Sequence, residues 1–151
     1  MLGEWEMEPI EILLVEDNPD HAELTRRSLM SGSVANRVAW VKDGQEALDY
    51  LFKKEPYANA PRPGLILLDI NLPKVNGLEV LKKIKETEDL RVIPVIMLTT
   101  SDRDEEALKC YNFGANSFIT KPVKFTEFSE KVKSLKLYWL LVNRPPKSDA
   151  S

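Results

Sequence analysis

Short apolar runs alternate with longer stretches in which apolar residues recur every three or four positions. The first pattern predicts buried strands and the second predicts helices with one apolar face. The predicted strands lie at 10–15, 36–41, 64–69, 93–100 and 116–120. The predicted helices lie at 19–30, 43–54, 77–86, 102–114 and 124–142. Strands that alternate with helices are typical of βαβ units, so we predict an α/β fold with a doubly wound, five-stranded parallel sheet.

Composition and charge narrow the class of protein. A chain of 151 residues fits one domain, and a net charge of -3 gives no general attraction to nucleic acid or anionic membranes. No apolar run approaches the roughly 20 residues of a membrane span. The single cysteine, Cys110, has no disulfide partner and no neighbouring zinc ligands, which suits a reducing compartment. We therefore expect a cytoplasmic protein that binds neither nucleic acid nor membrane.

Acidic residues follow two of the predicted strands. Glu16 and Asp17 come directly after the first strand, and Asp69 ends the third. Doubly wound sheets bind ligands at the carboxyl ends of their strands, so these carboxylates are expected to lie close together. Their mutual repulsion would be relieved by a divalent cation, and oxygen ligands of this kind favour Mg²⁺.

Two further polar residues are predicted at the same edge of the sheet. Thr99 lies near the end of the fourth strand and Lys121 follows the fifth. A hydroxyl and an ammonium beside carboxylates and Mg²⁺ make a set of groups suited to phosphoryl transfer, with Asp69 as the nucleophile. Each feature alone has a simpler structural explanation, as a turn, a helix cap or a loop. Their joint occurrence at four strand ends favours a site.

Five segments together resemble the receiver domain of two-component response regulators. They are ILLVEDNPD, DGQEAL, LILLDINLPKVNGLEVL, PVIMLTTS and GANSFITKPV, and the resemblance runs from about Ile10 to Leu141. It implies the flavodoxin-like fold with strand order 2-1-3-4-5. It also implies that Asp69 accepts a phosphoryl group from a histidine kinase or a phosphotransfer protein. Such a domain is no enzyme beyond its own phosphorylation and dephosphorylation.

The resemblance assigns a metal site. It implies that Asp17 binds Mg²⁺ directly and that Glu16 binds it directly or through water. Asp69 and the backbone carbonyl of Asn71 would complete the protein ligands.

The resemblance also assigns the residues that meet the phosphoryl group. Thr99 would bond a phosphoryl oxygen and Lys121 would pair with the phosphate. Phe118 falls at the family's aromatic switch position, where Tyr is common, so a hydroxyl contact is absent here. A buried strand aromatic is an equally good interpretation of Phe118.

The predicted boundaries place a receiver domain at 8–142, an N-terminal extension at 1–7 and a tail at 143–151. The tail is too short for a DNA-binding element, so we expect no output domain and an output based on altered protein binding. The segments PRPGLILLDINLPKVNG and YWLLVNRPP are similar to those of stand-alone regulators that serve phytochrome-type sensor histidine kinases.

The predicted last helix has two apolar stripes. One stripe can face the sheet, and an additional apolar patch usually marks an interface. The additional stripe comprises Leu137, Leu140 and Leu141 beside Tyr138. We therefore predict a homodimer built on the fourth helix, the fifth strand and the last helix.

Three other functions fit parts of the pattern. An aspartate-nucleophile phosphohydrolase also uses a strand-end Asp with Mg²⁺, but it typically has a second acid where Asn71 stands. A receiver-like scaffold that takes no phosphate would keep the fold alone. A flavin-binding flavodoxin is disfavoured because the first loop, EDNPDHAE, carries acids where a phosphate cradle is needed. His21 is interpreted as a surface or partly packed residue rather than a phosphodonor.

Overall fold

Five parallel strands form one sheet in the part of the chain that the structure describes. The computed structural model describes residues 10–31, 36–100 and 109–135. The strands are β1 (Ile10–Val15), β2 (Asn36–Val41), β3 (Leu65–Asp69), β4 (Val95–Thr99) and β5 (Ser117–Thr120). They lie in the order β2-β1-β3-β4-β5, and each neighbouring pair is parallel. This confirms the predicted sheet and its strand order.

Helices connect the strands. They are α1 (Pro19–Ser31), α2 (Gly44–Leu51), α3 (Gly77–Glu86), a short described segment α4 (109–112) and α5 (Phe125–Ser134). None of the helices within the described ranges is long and apolar enough to cross a bilayer.

Apolar layers cover both faces of the sheet. Along β3, Ile66 and Leu68 pack into one buried cluster, whereas Leu65 and Leu67 pack into the other. Side chains of α2 and α3 complete the first cluster, and side chains of α1 and α5 complete the second. Burial on both faces explains why β3 is a continuous apolar run rather than an alternating one.

Several element ends differ from the prediction. The helix predicted at 43–54 ends at Leu51, because Lys53 adopts a left-handed conformation with φ 58°. The strand predicted at 93–100 begins at Val95, because Ile93 closes a turn onto the Leu90 carbonyl and Pro94 has no amide hydrogen. The helix predicted at 124–142 ends at Ser134 within the described residues, and 136–142 lie outside them.

The helices on the α2–α3 face begin at side-chain caps. Asp43 accepts a hydrogen bond from the Glu46 amide at 2.8 Å, and Asn76 accepts one from the Glu79 amide at 3.0 Å. Such caps satisfy amides that have no partner within the helix. Cys110 is buried in the core on this face.

Candidate functional site

Three carboxylates meet at the carboxyl edge of the sheet. Val15 of β1 is paired with Leu68 of β3, so the next residues, Glu16 and Asp69, are neighbours. One carboxylate oxygen from each of Glu16, Asp17 and Asp69 lies within 4.8 Å of the others. Glu16 and Asp69 are buried, whereas Asp17 is exposed to solvent. The structure thus brings together the three acids that the sequence singled out.

The ammonium of Lys121 neutralises part of this cluster. Its Nζ donates to Glu16 Oε1 at 2.8 Å and to Asp69 Oδ2 at 2.8 Å, and the side chain is only 8% exposed. The Lys121 amide also donates to the Thr99 carbonyl at 2.7 Å, which ties the end of β5 to β4. With all groups ionised, three carboxylates and one ammonium leave a formal charge of -2, which a divalent cation would balance.

Burial and charge shift the titration of two of these groups. The pKa of Glu16 is raised, mainly because burial penalises the carboxylate and also because Asp69 is close, although hydrogen bonds from Lys121 and the Asn18 amide oppose the shift. Burial alone would lower the pKa of Lys121. Its hydrogen bonds to Asp69 and Glu16 outweigh that effect, and the pKa of Lys121 is raised. The lysine therefore stays cationic beside the acids.

The loop after β3 is held in a tight turn. The Asn71 amide donates to Asp69 Oδ1 at 3.1 Å, and the Gly77 amide donates to the Ile70 carbonyl at 2.8 Å. A Cβ at Gly77 would overlap the backbone carbonyl of Asp69, so only glycine lets α3 begin this close to the acid. The Asn71 side chain is exposed, and its backbone lies two residues beyond Asp69. The turn places this segment at the edge of the acidic cluster.

Thr99 and Phe118 lie on the two strands beyond Asp69. Asp69 is paired with Leu98 of β4, and Thr99 is the next residue, with its side chain buried. Phe118 of β5 is half-buried and packs against the core on the α2–α3 face. Its ring meets Tyr111 edge-on at 6.0 Å and lies 5.4 Å from the Lys131 ammonium. Phe118 therefore connects the sheet to a surface that is partly aromatic and partly basic.

Two residues without a predicted role contact the site. His21 Nδ1 lies 3.3 Å from Lys121 Nζ and 3.8 Å from Glu16 Oε2. Trp40 Nε1 donates to the Glu16 backbone carbonyl at 2.7 Å. The sequence held a signal for each: His21 lies in the first turn after β1, and Trp40 is near the end of β2, which is adjacent to β1.

Comparison with known proteins identifies the family. The family described as "Response regulator receiver domain" matches residues 12–133. A curated relative, the probable methanogenesis regulatory protein FilR2 of Methanothrix harundinacea, is 44% identical over 139 residues, which are 92% of this chain and 89% of that protein.

Solved structures give the same result. The bacteriophytochrome response regulator AtBRR is 45% identical, with a TM-score of 0.82 over 91% of this chain and 99% of that one. The Mn²⁺-bound form of response regulator Rcp1, a protein of Synechocystis sp., is 36% identical, with a TM-score of 0.74 over 91% of this chain and 99% of that one. The family match, these relatives and the strand order together show that the chain belongs to the response regulator receiver family of two-component systems and has its flavodoxin-like fold.

Proposed function

We propose that this protein accepts a phosphoryl group on Asp69 from a phosphohistidine of a sensor histidine kinase. The observation that carries the proposal is the position of Asp69, which is buried at the end of β3 within the acidic cluster and is hydrogen-bonded to Lys121. Receiver domains are signalling modules rather than enzymes with an external substrate. The match over 12–133 supports this role.

The transfer joins an Asp69 carboxylate oxygen to phosphorus as the phosphorus–nitrogen bond to the donor histidine breaks. The donor nitrogen keeps the bonding electron pair and takes up a proton from solvent, so the products are an aspartyl phosphate and a neutral imidazole. Lys121 is held 2.8 Å from the Asp69 carboxylate, where its charge offsets the negative charge that arrives with the phosphoryl group. Thr99, at the end of the neighbouring strand, is proposed to bond a phosphoryl oxygen.

A bound Mg²⁺ belongs to this proposal. Glu16, Asp17 and Asp69 offer oxygens within 4.8 Å of one another, and oxygen-only ligands at an exposed edge fit this ion. The backbone carbonyl of Asn71 is the proposed fourth protein ligand. When bound, the ion neutralises charge on the transferring phosphoryl group. The Mn²⁺-bound form of Rcp1 supports divalent-metal binding in this family.

The proposed output is a change in protein binding. A phosphoryl group on Asp69 adds negative charge beside Thr99 and Lys121. Phe118 is the second residue of β5, the strand that Lys121 directly follows. Movement of the Phe118 ring would change its contacts with Tyr111 and Lys131 on the surface. The phosphoryl group favours the active state only by the difference in its contacts between states.

The same surface supports the proposed homodimer. Tyr111 is 45% exposed and Phe113 is 39% exposed, so the end of α4 presents aromatic area beside β5. The apolar stripe predicted at Leu137, Leu140 and Leu141 lies outside the described residues. Sedimentation tests the dimer: a pure monomer at high concentration, with and without a phosphoryl mimic, would contradict it.

A phytochrome-type kinase is the proposed phosphodonor because the bacteriophytochrome regulator AtBRR matches so much of the chain. FilR2 is almost as similar and is named for methanogenesis, so the kinase must be found by experiment. Phosphotransfer profiling against the histidine kinases of the same genome tests the donor. Preferential labelling by a phytochrome-type kinase supports it, and preferential labelling by another sensor contradicts it. We also propose a cytoplasmic location, because the regulator has to share a compartment with the phosphohistidine of its kinase.

The phosphoacceptor is tested by incubation with acetyl phosphate and Mg²⁺. We expect labelling of the wild type and none of the Asp69→Asn variant, which removes the nucleophilic carboxylate but keeps the size of the side chain. Asp89→Asn is the matched control, because Asp89 is an exposed aspartate outside the acidic cluster, and this variant should label like the wild type. Equal labelling of Asp69→Asn would contradict the proposal. Turnover of small phosphate esters would instead favour a phosphohydrolase.

A further inference from the structure

Three side-chain atoms lie within 3.3 Å of the Lys121 ammonium. Its contacts are Glu16 Oε1 at 2.8 Å, Asp69 Oδ2 at 2.8 Å and His21 Nδ1 at 3.3 Å. An ammonium carries three N–H donors, so these acceptors match its full donor capacity. Two acceptors belong to the acidic cluster already described, whereas the imidazole comes from α1. The distance from Lys121 Nζ to His21 Nδ1 is typical of a hydrogen bond weaker than the two that the ammonium donates to carboxylates.

The start of α1 holds the imidazole in place. Asn18 Oδ1 accepts hydrogen bonds from the Asp20 amide at 2.8 Å and from the His21 amide at 3.1 Å. These bonds fix the first turn of the helix and therefore the point from which the His21 side chain projects. The backbone N–H of Asn18 in turn donates to Glu16 Oε2 at 3.1 Å, which joins the turn to the acidic cluster.

A cavity opens beside this contact. Its volume is about 330 Å³, and its lining includes His21, Lys121, Leu24, Thr25 and Pro122. Without the imidazole, the third N–H of Lys121 would point toward this space rather than to a fixed acceptor. The lysine would then be free to rotate away from one of its two carboxylates.

We propose that His21 is a positioning residue for Lys121: its Nδ1 accepts the third ammonium hydrogen and thereby keeps the other two on Glu16 and Asp69. The unprotonated Nδ1 is the acceptor, so the ring hydrogen sits on Nε2. The inference rests on the proposed function, because Lys121 is the residue that meets the phosphoryl group there. His21 itself takes no phosphoryl group in this scheme.

The first test compares two substitutions at the same position. Asn places Oδ1 at nearly the same distance along the side chain as His Nδ1, whereas Leu has similar bulk and no acceptor. We expect His21→Leu to slow labelling by acetyl phosphate about ten-fold, since a small displacement of a positioned group costs rate. His21→Asn should recover most of the wild-type rate. Arg26→Leu, an exposed change on the same helix, is the control.

The second test does not depend on phosphorylation. Nitrogen-15 NMR detects lysine ammonium hydrogens when hydrogen bonds slow their exchange with water, and the Lys121 signal is assigned by its loss in Lys121→Met. We expect this signal in the wild type, His21→Asn and Arg26→Leu, and its loss or strong broadening in His21→Leu. An identical signal in all four proteins would overturn the role of His21.

The two tests separate the inference from the proposed function. An unlabelled wild type would contradict phosphorylation of Asp69, and the ammonium signal alone would then decide the role of His21. A labelled wild type with His21→Leu reacting at the same rate would overturn the inference and leave the phosphoacceptor intact.

Discussion

The Lys121 ammonium lies 2.8 Å from Asp69 Oδ2 across 52 residues of sequence. The proposed phosphoacceptor is thus paired, before any phosphoryl group arrives, with the cation that would later bind the phosphate. The same ammonium is 2.8 Å from Glu16, which is fully buried. Lys121 therefore stabilises two buried carboxylates that would otherwise repel each other without a metal.

Replacement of Lys121 should show this dependence in stability. In Mg²⁺-free buffer we expect Lys121→Ala to lower the free energy of unfolding by about 3–5 kcal/mol, because Glu16 and Asp69 lose their only buried cation partner among the ion pairs of the described residues. Mg²⁺ should restore more stability to the variant than to the wild type. Urea unfolding with and without Mg²⁺ measures both effects.

Lys133→Ala, an exposed change on α5, is the control for this experiment and should leave stability nearly unchanged. We also expect Lys121→Ala to keep some labelling on Asp69 while losing the phosphorylation-dependent change in binding. A Lys121→Ala variant as stable as the wild type without Mg²⁺ would refute the charge pairing.

Gly77 should be intolerant of a side chain. A Cβ there would overlap the Asp69 carbonyl, so we expect Gly77→Ala to lower the free energy of unfolding by about 1–3 kcal/mol and to weaken Mg²⁺ binding. The sign is informative, because the same substitution in an unobstructed helix stabilises by about 1 kcal/mol. Urea unfolding and calorimetric Mg²⁺ titration measure the two effects. A gain in stability would show that the start of α3 does not lie as close to the Asp69 carbonyl as described.

Trp40 should report the metal by fluorescence. Its indole donates to the Glu16 carbonyl at 2.7 Å, so a cation bound by the Glu16 carboxylate should change its emission. Trp5 and Trp139, the other two tryptophans, are first replaced by Phe to isolate the signal. We expect saturable quenching or enhancement by Mg²⁺, and we expect Asp17→Asn to abolish this change because it removes one of the proposed ligands. A Trp40 emission spectrum that does not change at any Mg²⁺ concentration would argue against the proposed metal site.

Lys85 gives a pH prediction away from the metal ligands. Its Nζ donates to the Arg91 and Ile93 carbonyls, and burial lowers its pKa below the ordinary 10.5. In the interval between the lowered native value and 10.5, the unfolded chain binds this proton more tightly. The stability of the wild type should therefore rise with pH in that interval relative to Lys85→Met.

Unfolding of both proteins in urea from neutral pH to about pH 10 measures the difference. The Lys85→Met variant is the reference for the wild type, because the two proteins share all other titrating groups. A difference in stability that stays constant across this range would mean that Lys85 is not desolvated in the native state.

Much of the fold could be predicted because the relevant signals are local. The apolar run at 65–68 has to be buried on both faces, and this alone favours a central parallel strand. The strand order came from the family resemblance, and the structure confirms it. The ends of α2 and β4 were less predictable, because they depend on the left-handed Lys53 and on the turn that precedes Pro94.

The site was predictable only in part. Glu16, Asp17, Asp69, Thr99 and Lys121 were identified because parallel topology places every strand end at one edge. The sequence placed His21 and Trp40 near this edge, but their contacts could not be predicted, since they depend on the direction of side chains from a helix start and an edge strand. Strand ends are fixed by the order of elements, whereas such side-chain contacts are fixed by packing.

The measurement that tests the central claim most directly is the location of the phosphoryl group. After reaction with a phosphodonor in Mg²⁺, borohydride reduction converts an aspartyl phosphate to homoserine, and peptide mass spectrometry locates the changed residue. We predict conversion at Asp69 and at no other residue, with none when Mg²⁺ is removed by chelation. An unchanged Asp69 in a protein that carries phosphate on another residue, such as His21, would contradict the account.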